Sequence, residues 1–91
     1  MKIKLDTTLA KKAKASLIQK GKTLDLVETD SPLTSIDKLL KKNGLKLEDI
    51  EEFDFNPGPG SFTGIRVGSA VTQTLNWALG RKIKPKKLKY E

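Results

Sequence analysis

An α/β fold is predicted by three features of the chain: strict alternation of apolar and polar residues near the N-terminus, helical spacing of apolar residues after Pro32, and a glycine-rich run that leads from an alternating segment into a long uncharged stretch. The expected architecture is a mixed sheet in the order β-β-β-α-β-α, with room for a short final strand.

Met1, Ile3 and Leu5 alternate with lysines into Asp6-Thr7-Thr8, as in a half-buried strand. Two further apolar stretches, Ala13 to Gln19 and Leu24 to Thr29, flank Lys20-Gly21-Lys22, which predicts a hairpin. Ser31-Pro32 is expected to cap and open a helix in which Leu33, Ile36, Leu39 and Leu40 share the core face while Asp37, Lys38 and Lys41 face water. Gly44 is its stop. Leu45 to Ile50 reads as a connector with one short helical turn, and Phe53 and Phe55, alternating with acids, read as the fourth strand. Beyond Gly80, Ile83 and Leu88 suit a short fifth strand, but Pro85 confines it to an edge. Residues 81–91 are therefore expected to be a basic tail or edge strand of a single domain spanning residues 1–91.

The run Asn56-Pro57-Gly58-Pro59-Gly60-Ser61-Phe62-Thr63-Gly64-Ile65-Arg66-Val67-Gly68 joins the fourth strand to the second helix. Its two prolines push Asn56 and Gly58 into extended backbone, Gly60 is the expected site of positive φ, and Ser61 or Thr63 is the expected N-cap of a helix that stops at Gly80. Loops of this kind can cradle a phosphate on helix N-terminal amides, which makes Gly58, Gly60, Ser61, Thr63 and Gly64 the phosphate-contact candidates. Their spacing is one residue too long for the dinucleotide fingerprint, and no Gly-Lys-Ser/Thr follows for a P-loop. The glycines read first as a device for a tight turn and close packing of helix on sheet.

Projected at about 100° per residue, Gly64, Gly68, Val71, Leu75, Ala78 and Leu79 fall on one side of this helix, the expected core face. The other side carries Arg66, Ala70, Gln73 and Trp77, and no residue from Val67 to Gly80 is charged in a chain that is 32% charged. An uncharged outer face bearing the single tryptophan predicts a protein-binding surface, because contiguous exposed apolar area marks interfaces and Trp and Arg are frequent anchors there. The competing expectation is that Trp77 tucks under the C-terminal segment. Arg66 lies in the first helical turn, against the helix dipole, so it is expected to face an anion, either a carboxylate such as Asp54 or a bound phosphate.

The net charge of +7 is unevenly spread: +6 over residues 1–22, −5 over 23–56, +1 over 57–80 and +5 over 81–91. Basic ends attract RNA through counterion release, and they equally blunt sheet edges. The chain has no cysteine and no histidine. Disulfides, a thiolate nucleophile and the commonest metal ligand and general base are thereby excluded, so hydrolytic chemistry is disfavoured and neither a metal site nor a cofactor is expected. No apolar run is long enough to span a bilayer, and the N-terminus enters alternation directly, so a soluble cytoplasmic protein without membrane contact is the default expectation.

Three antiparallel strands followed by helix-crossed parallel ones describe the ribonuclease H-like unit, the ASKHA half-domain of sugar kinases, actins and chaperone ATPases; this analogy fixes no activity. Gly58-Pro59-Gly60-Ser61-Phe62-Thr63-Gly64-Ile65-Arg66 resembles the most characteristic stretch of the TsaB (YeaZ) family, which is involved in making the threonylcarbamoyl modification on the adenosine next to the anticodon of certain transfer RNAs. Leu5-Asp6-Thr7-Thr8 resembles that family's opening strand, Ile36-Asp37-Lys38-Leu39-Leu40 its first helix, and Ala78-Leu79-Gly80 the end of its second, so the resemblance covers most of residues 3–85. It implies a non-catalytic subunit that pairs through its helices with a TsaD-type catalytic subunit or with itself. The implied assembly also engages a TsaE-type ATPase and meets transfer RNA only indirectly. The pairing surface it implies is the first helix together with the Arg66–Trp77 face, the face already selected by its lack of charge. Full-length members of the family usually carry a second domain of the same fold, and many carry a histidine ahead of the first helix, where this chain has Glu28-Thr29-Asp30-Ser31.

Two other readings compete. A ribonuclease H-like, metal-dependent nuclease would use Asp6 at the end of the first strand, but such chemistry needs several carboxylates converging on divalent ions. Asp54 is the one further candidate, and Asn56 stands where a second acid would be wanted. A small RNA-binding module driven by the basic ends would lack aromatic platforms, since Tyr90 is the single tyrosine and the three phenylalanines fall in the middle section. Its binding would be phosphate-led and salt-dependent.

Overall fold

The computed structural model describes residues 1–9 and 11–80. Strand β1 (Lys2–Asp6) buries Ile3 and Leu5 and turns Lys2, Lys4 and Asp6 to the opposite face, the period-two pattern of a strand with one dry side. Strands β2 (Ala13–Gln19) and β3 (Lys22–Thr29) form the expected hairpin. Lys20 (φ 53°) and Gly21 (φ 77°) both take positive φ between the paired residues Gln19 and Lys22, a two-residue turn whose twist matches that of the flanking strands.

Helix α1 (Pro32–Lys42) opens with proline at its start, where a missing N–H costs nothing. Ser31 precedes it in extended backbone, but its hydroxyl makes no capping bond. The helix entry is tied instead through Thr29, whose hydroxyl accepts from the Ser31 amide (3.1 Å) and bonds with Ser35 Oγ (2.7 Å). Ile36, Leu39 and Leu40 are buried as expected, whereas Leu33, expected with them, is 59% exposed. Ser35 takes the inner position of that first turn; its small, fully buried side chain lets the helix approach β2 and donates to Ala13 O at 2.6 Å. Asn43 caps the other end and Gly44 follows with φ 64°.

A single 3-10 turn (Leu47–Asp49) fills the connector, and β4 (Glu52–Phe55) then pairs parallel to β1 with Phe53 opposite Ile3. The sheet order is β3-β2-β1-β4, with β1–β2 and β2–β3 antiparallel. Helix α2 (Phe62–Ala78) completes the β-β-β-α-β-α order. Both helices cover the same face of the sheet, where Ile3, Leu5, Leu17, Ile36, Leu39 and Phe53 form one cluster. Each large apolar side chain fully buried there contributes roughly 1.5–3 kcal/mol. The suggested fifth strand and the C-terminal segment expected to cover Trp77 lie outside the described residues. Among the described residues, no helix is long and apolar enough to cross a membrane.

Candidate partner-docking face

The site is built from the seam where α2 begins. Gly58 (φ 109°) supplies the left-handed turn that was expected at Gly60, and the Gly58–Pro59 peptide is cis. Gly60 serves a different need: a Cβ there would stand 2.6 Å from Thr8 Cβ and 2.7 Å from Thr8 O. A Cβ on Gly64 would strike the Thr7 carbonyl oxygen, and one on Gly68 the Thr7 hydroxyl. Three glycines four residues apart thus let the loop and first turns of α2 lie directly on Thr7-Thr8 at the end of β1. The contact is sealed by hydrogen bonds from Ser61 N to Thr8 O (2.8 Å) and from Thr7 Oγ1 to Gly64 O (2.5 Å).

Of the two expected N-caps, Ser61 fills the role: its hydroxyl accepts from Gly64 N at 3.2 Å, satisfying one orphan donor of the first turn. Ser61, Thr63 and Gly64 line a hollow of about 310 Å³ shared with Leu9, Lys12 and Val67. Gly58 and Gly60 are not among its lining residues.

The inner face of α2 differs from the hydrophobic projection. Ile65, Gly68, Ser69, Thr72 and Asn76 are the buried residues, Val71, Leu75 and Leu79 are only partly buried, and Ala78, expected inside, is exposed. The helix is rotated by about a quarter turn from the orientation its apolar residues alone would choose. Polar side chains account for the rotation. Asn76 bonds both main-chain groups of Phe53, at 2.9 and 2.7 Å, and Thr72 donates back to Gly68 O at 2.8 Å. Main-chain groups in the interior need partners more than they need apolar cover.

The outer face comes out as expected. Arg66, Ala70, Gln73 and Trp77 are all exposed and aligned, Trp77 at 82%. Phe62 and Val67, which the projection did not single out, are also exposed. Arg66 does not meet Asp54. Its guanidinium lies 5.4 Å from the centre of the Phe62 ring, a cation–π contact, while the Asp54 carboxylate lies 3.8 Å from Lys2 Nζ. Sequence reasoning missed this because the pairing of β1 with β4 places Lys2 and Lys4 beside the β4 acids.

That register also bears on the competing readings. The three lysines of the open sheet face stand next to Asp6, Glu28, Glu52 and Asp54. With charges of +6, −5 and +1 in its three stretches, the body of residues 1–80 carries only +2 of the total +7. Asp6 is engaged rather than open: its carboxylate accepts from Thr8 N (3.0 Å), Thr8 Oγ1 (2.6 Å) and Asn56 Nδ2 (3.1 Å). Burial opposes its charge, but the Thr8 and Asn56 hydrogen bonds and the Lys14 charge together hold its pKa below the ordinary value. Asn56 thus sits on Asp6 as an amide, where a metal site would want an acid. Among the described residues, no three potential metal ligands come together.

Comparison with known proteins agrees with the fold. A family model described as "TsaD: tRNA N6-adenosine threonylcarbamoyltransferase" matches residues 30–85. The chain is 46% identical over 43 residues to the tRNA threonylcarbamoyladenosine biosynthesis protein TsaB of Haemophilus influenzae, covering 47% of this chain and 18% of that one. Identity to the Escherichia coli K12 protein of the same name is 38% over 55 residues, covering 60% of this chain and 23% of that one. The solved structure of YeaZ from Pseudomonas aeruginosa superposes with a TM-score of 0.75 at 27% identity, covering 96% of this chain and 44% of that one. The chain therefore spans less than half the length of these relatives.

Proposed function

This chain belongs to the family described as TsaD: tRNA N6-adenosine threonylcarbamoyltransferase, and it matches an N-terminal fragment of TsaB/YeaZ proteins; on that premise we propose that it is a non-catalytic subunit in transfer-RNA threonylcarbamoyladenosine biosynthesis. It acts by docking. Its partner is a TsaD-type catalytic subunit or a second copy of itself, met through the helix layer, with a TsaE-type ATPase joining the assembly and transfer RNA engaged through the partner.

One observation carries this reading: the outward face of α2 presents Trp77 at 82% exposure together with Arg66, Ala70 and Gln73, and carries no charge from Val67 to Gly80. A tryptophan left in water forgoes a large gain from burial, which an interface recovers. Exposed Leu33 on α1 extends apolar surface on the helix layer. The non-catalytic assignment is supported by the composition, which offers no histidine or cysteine.

The test is association. The Ala70→Glu, Trp77→Ala double variant is expected to lose co-purification with a TsaD-type subunit and self-association, while its circular dichroism and melting temperature stay those of the parent chain. Undiminished association of a folded double variant refutes the docking face.

A further inference from the structure

We propose that Asp25 is a gate on the outer edge of β3: clamped by the end of α1, it holds the Leu26 amide and keeps β3 from pairing antiparallel with the β3 of a second copy. Among the described residues β3 ends the sheet, with β2 as its one neighbour. Around its middle the strand runs inside out. Cross-strand partners share a face, so Asp25 opposite buried Leu17 faces the helix layer, while Leu26 opposite Ser16 faces away from it and is 49% exposed. Leu24, at the irregularity between the Thr23 and Asp25 pairings, is 54% exposed as well. A half-buried strand normally places these residue types the other way round.

The inward acid has a visible task. Its Oδ1 accepts from the Leu26 amide at 2.8 Å and from Lys42 Nζ at 3.1 Å, and its Oδ2 accepts from Asn43 Nδ2 at 3.1 Å. Asn43 Nδ2 also donates to Leu39 O at 2.8 Å, which fastens the clamp to the last turn of α1. A carboxylate beside a helix C-terminus is opposed by the helix dipole, so the position serves the strand rather than the helix. Because the Leu26 amide bonds a side chain and not β2, Ser16 and Leu26 form a non-hydrogen-bonded pair, and Leu26 turns both main-chain groups out of the sheet, as does Glu28 two residues on. Outward main-chain groups are a template for another strand, and an inward charge is one of the devices that blunt such an edge. The strand's own sequence names the occupant. Lys22-Thr23-Leu24-Asp25-Leu26-Val27-Glu28 laid antiparallel on itself about Asp25 sets Leu24 against Leu26 and Lys22 against Glu28, each twice, pairs of the kind that stabilise a sheet. In the single chain Glu28 meets Lys12 at 3.8 Å in an exposed pair, which is weak enough to exchange for Lys22 of a second copy. With the clamp in place, that register costs the Leu26 amide its bond and brings two carboxylates together at the centre. The gate shares no residue with the proposed docking face on α2, and neither requires the other.

The experiment uses the full chain carrying Ala70→Glu and Trp77→Ala, so that association through α2 does not contribute, with and without Asp25→Ala. Sedimentation velocity over a range of protein concentrations reads association, and circular dichroism reads the fold. Without Asp25→Ala the chain is expected to stay monomeric; with it, a dimer is expected to populate as concentration rises. Adding Lys22→Glu, which sets like charges opposite one another, is expected to abolish the dimer, and adding Glu28→Lys as well is expected to restore it. A folded Asp25→Ala chain that associates no more than its counterpart overturns the inference, and so does a dimer indifferent to the charges at positions 22 and 28. Hydrogen exchange on the parent chain decides the matter where Asp25→Ala does not fold. After correction for intrinsic rates, the Leu26 amide is expected to exchange at least about tenfold more slowly than the Glu28 amide, and a Leu26 amide that exchanges as fast overturns the gate.

Discussion

Gly64→Ala and Gly68→Ala both place a methyl group against Thr7, yet they should respond differently to the same second change. In an open helix either substitution would stabilise by about 1 kcal/mol through helix propensity. At position 64 the new Cβ strikes the Thr7 carbonyl oxygen, part of β1's own backbone continuation, and cannot displace it without moving α2. Forced overpacking costs about 1–3 kcal/mol, and movement of the helix also strains the hydrogen bond from Thr7 Oγ1 to Gly64 O, worth about 1 kcal/mol. The net expectation is a loss of about 1–3 kcal/mol, or roughly 4–8 °C in melting temperature for each kcal/mol in a domain of this size. At position 68 the obstacle is the Thr7 hydroxyl, a side-chain atom that substitution can remove. Thr7→Ala should therefore rescue Gly68→Ala and leave Gly64→Ala uncorrected. Urea denaturation of the three single and two double variants in two mutant cycles measures this directly. A coupling energy near zero between positions 7 and 68, or a Gly64→Ala variant more stable than the parent, refutes the account of the seam.

Ser61→Ala should cost about 1 kcal/mol by leaving the Gly64 amide without its cap, read as a shift of the urea midpoint at constant m-value; an unchanged midpoint would show that the cap contributes nothing. Asp6 predicts a pH dependence. Its folded-state pKa is lowered, so the unfolded chain binds more protons in that range, and its stabilising effect is present above the ordinary carboxylate value near 3.8 and lost as pH falls through the lower folded value. Asp6→Asn should be less stable than the parent at neutral pH and approach it in acid, and a gap that stays constant down to pH 2.5 would contradict the assignment.

Much of the fold was legible because it rests on short-range patterns. The alternation of Ile3 and Leu5, the Lys20-Gly21 turn and the spacing of Ile36, Leu39 and Leu40 each report on neighbours within a few residues, and each element appears where its pattern puts it. The misses share one cause, which is contact between segments far apart in sequence. Leu33 yields the inner position to Ser35 because the hydroxyl meets Ala13, 22 residues away. Gly60 needs no positive φ but must leave room for Thr8. Arg66 stays apart from Asp54 because the parallel register brings Lys2 to that acid. No periodicity encodes such pairings.

The orientation of α2 joins these lessons to the site. A helix that simply followed its apolar residues would turn Val71, Leu75 and Ala78 fully inward and leave Asn76 at the side. Instead Ser69, Thr72 and Asn76 are buried, and Val67, Ala70, Trp77 and Ala78 look outward. The two halves of this arrangement depend on each other. The need of Phe53 for a donor and an acceptor fixes the azimuth of α2 through Asn76, and the glycine seam at Thr7 fixes its depth. Once both are set, Ile65 is buried, Val71, Leu75 and Leu79 lie at the margin of the core, and Val67, Ala70, Trp77 and Ala78 are left outward. An outward apolar stripe is costly for an isolated domain and useful to one that is covered, and the one on this helix lies where a partner is proposed. A chain carrying Asn76→Leu should test this dependence: if a side chain that gains from apolar contact still leaves Trp77 exposed, by its fluorescence maximum and quenching by acrylamide, the azimuth is set by something other than the Phe53 bonds.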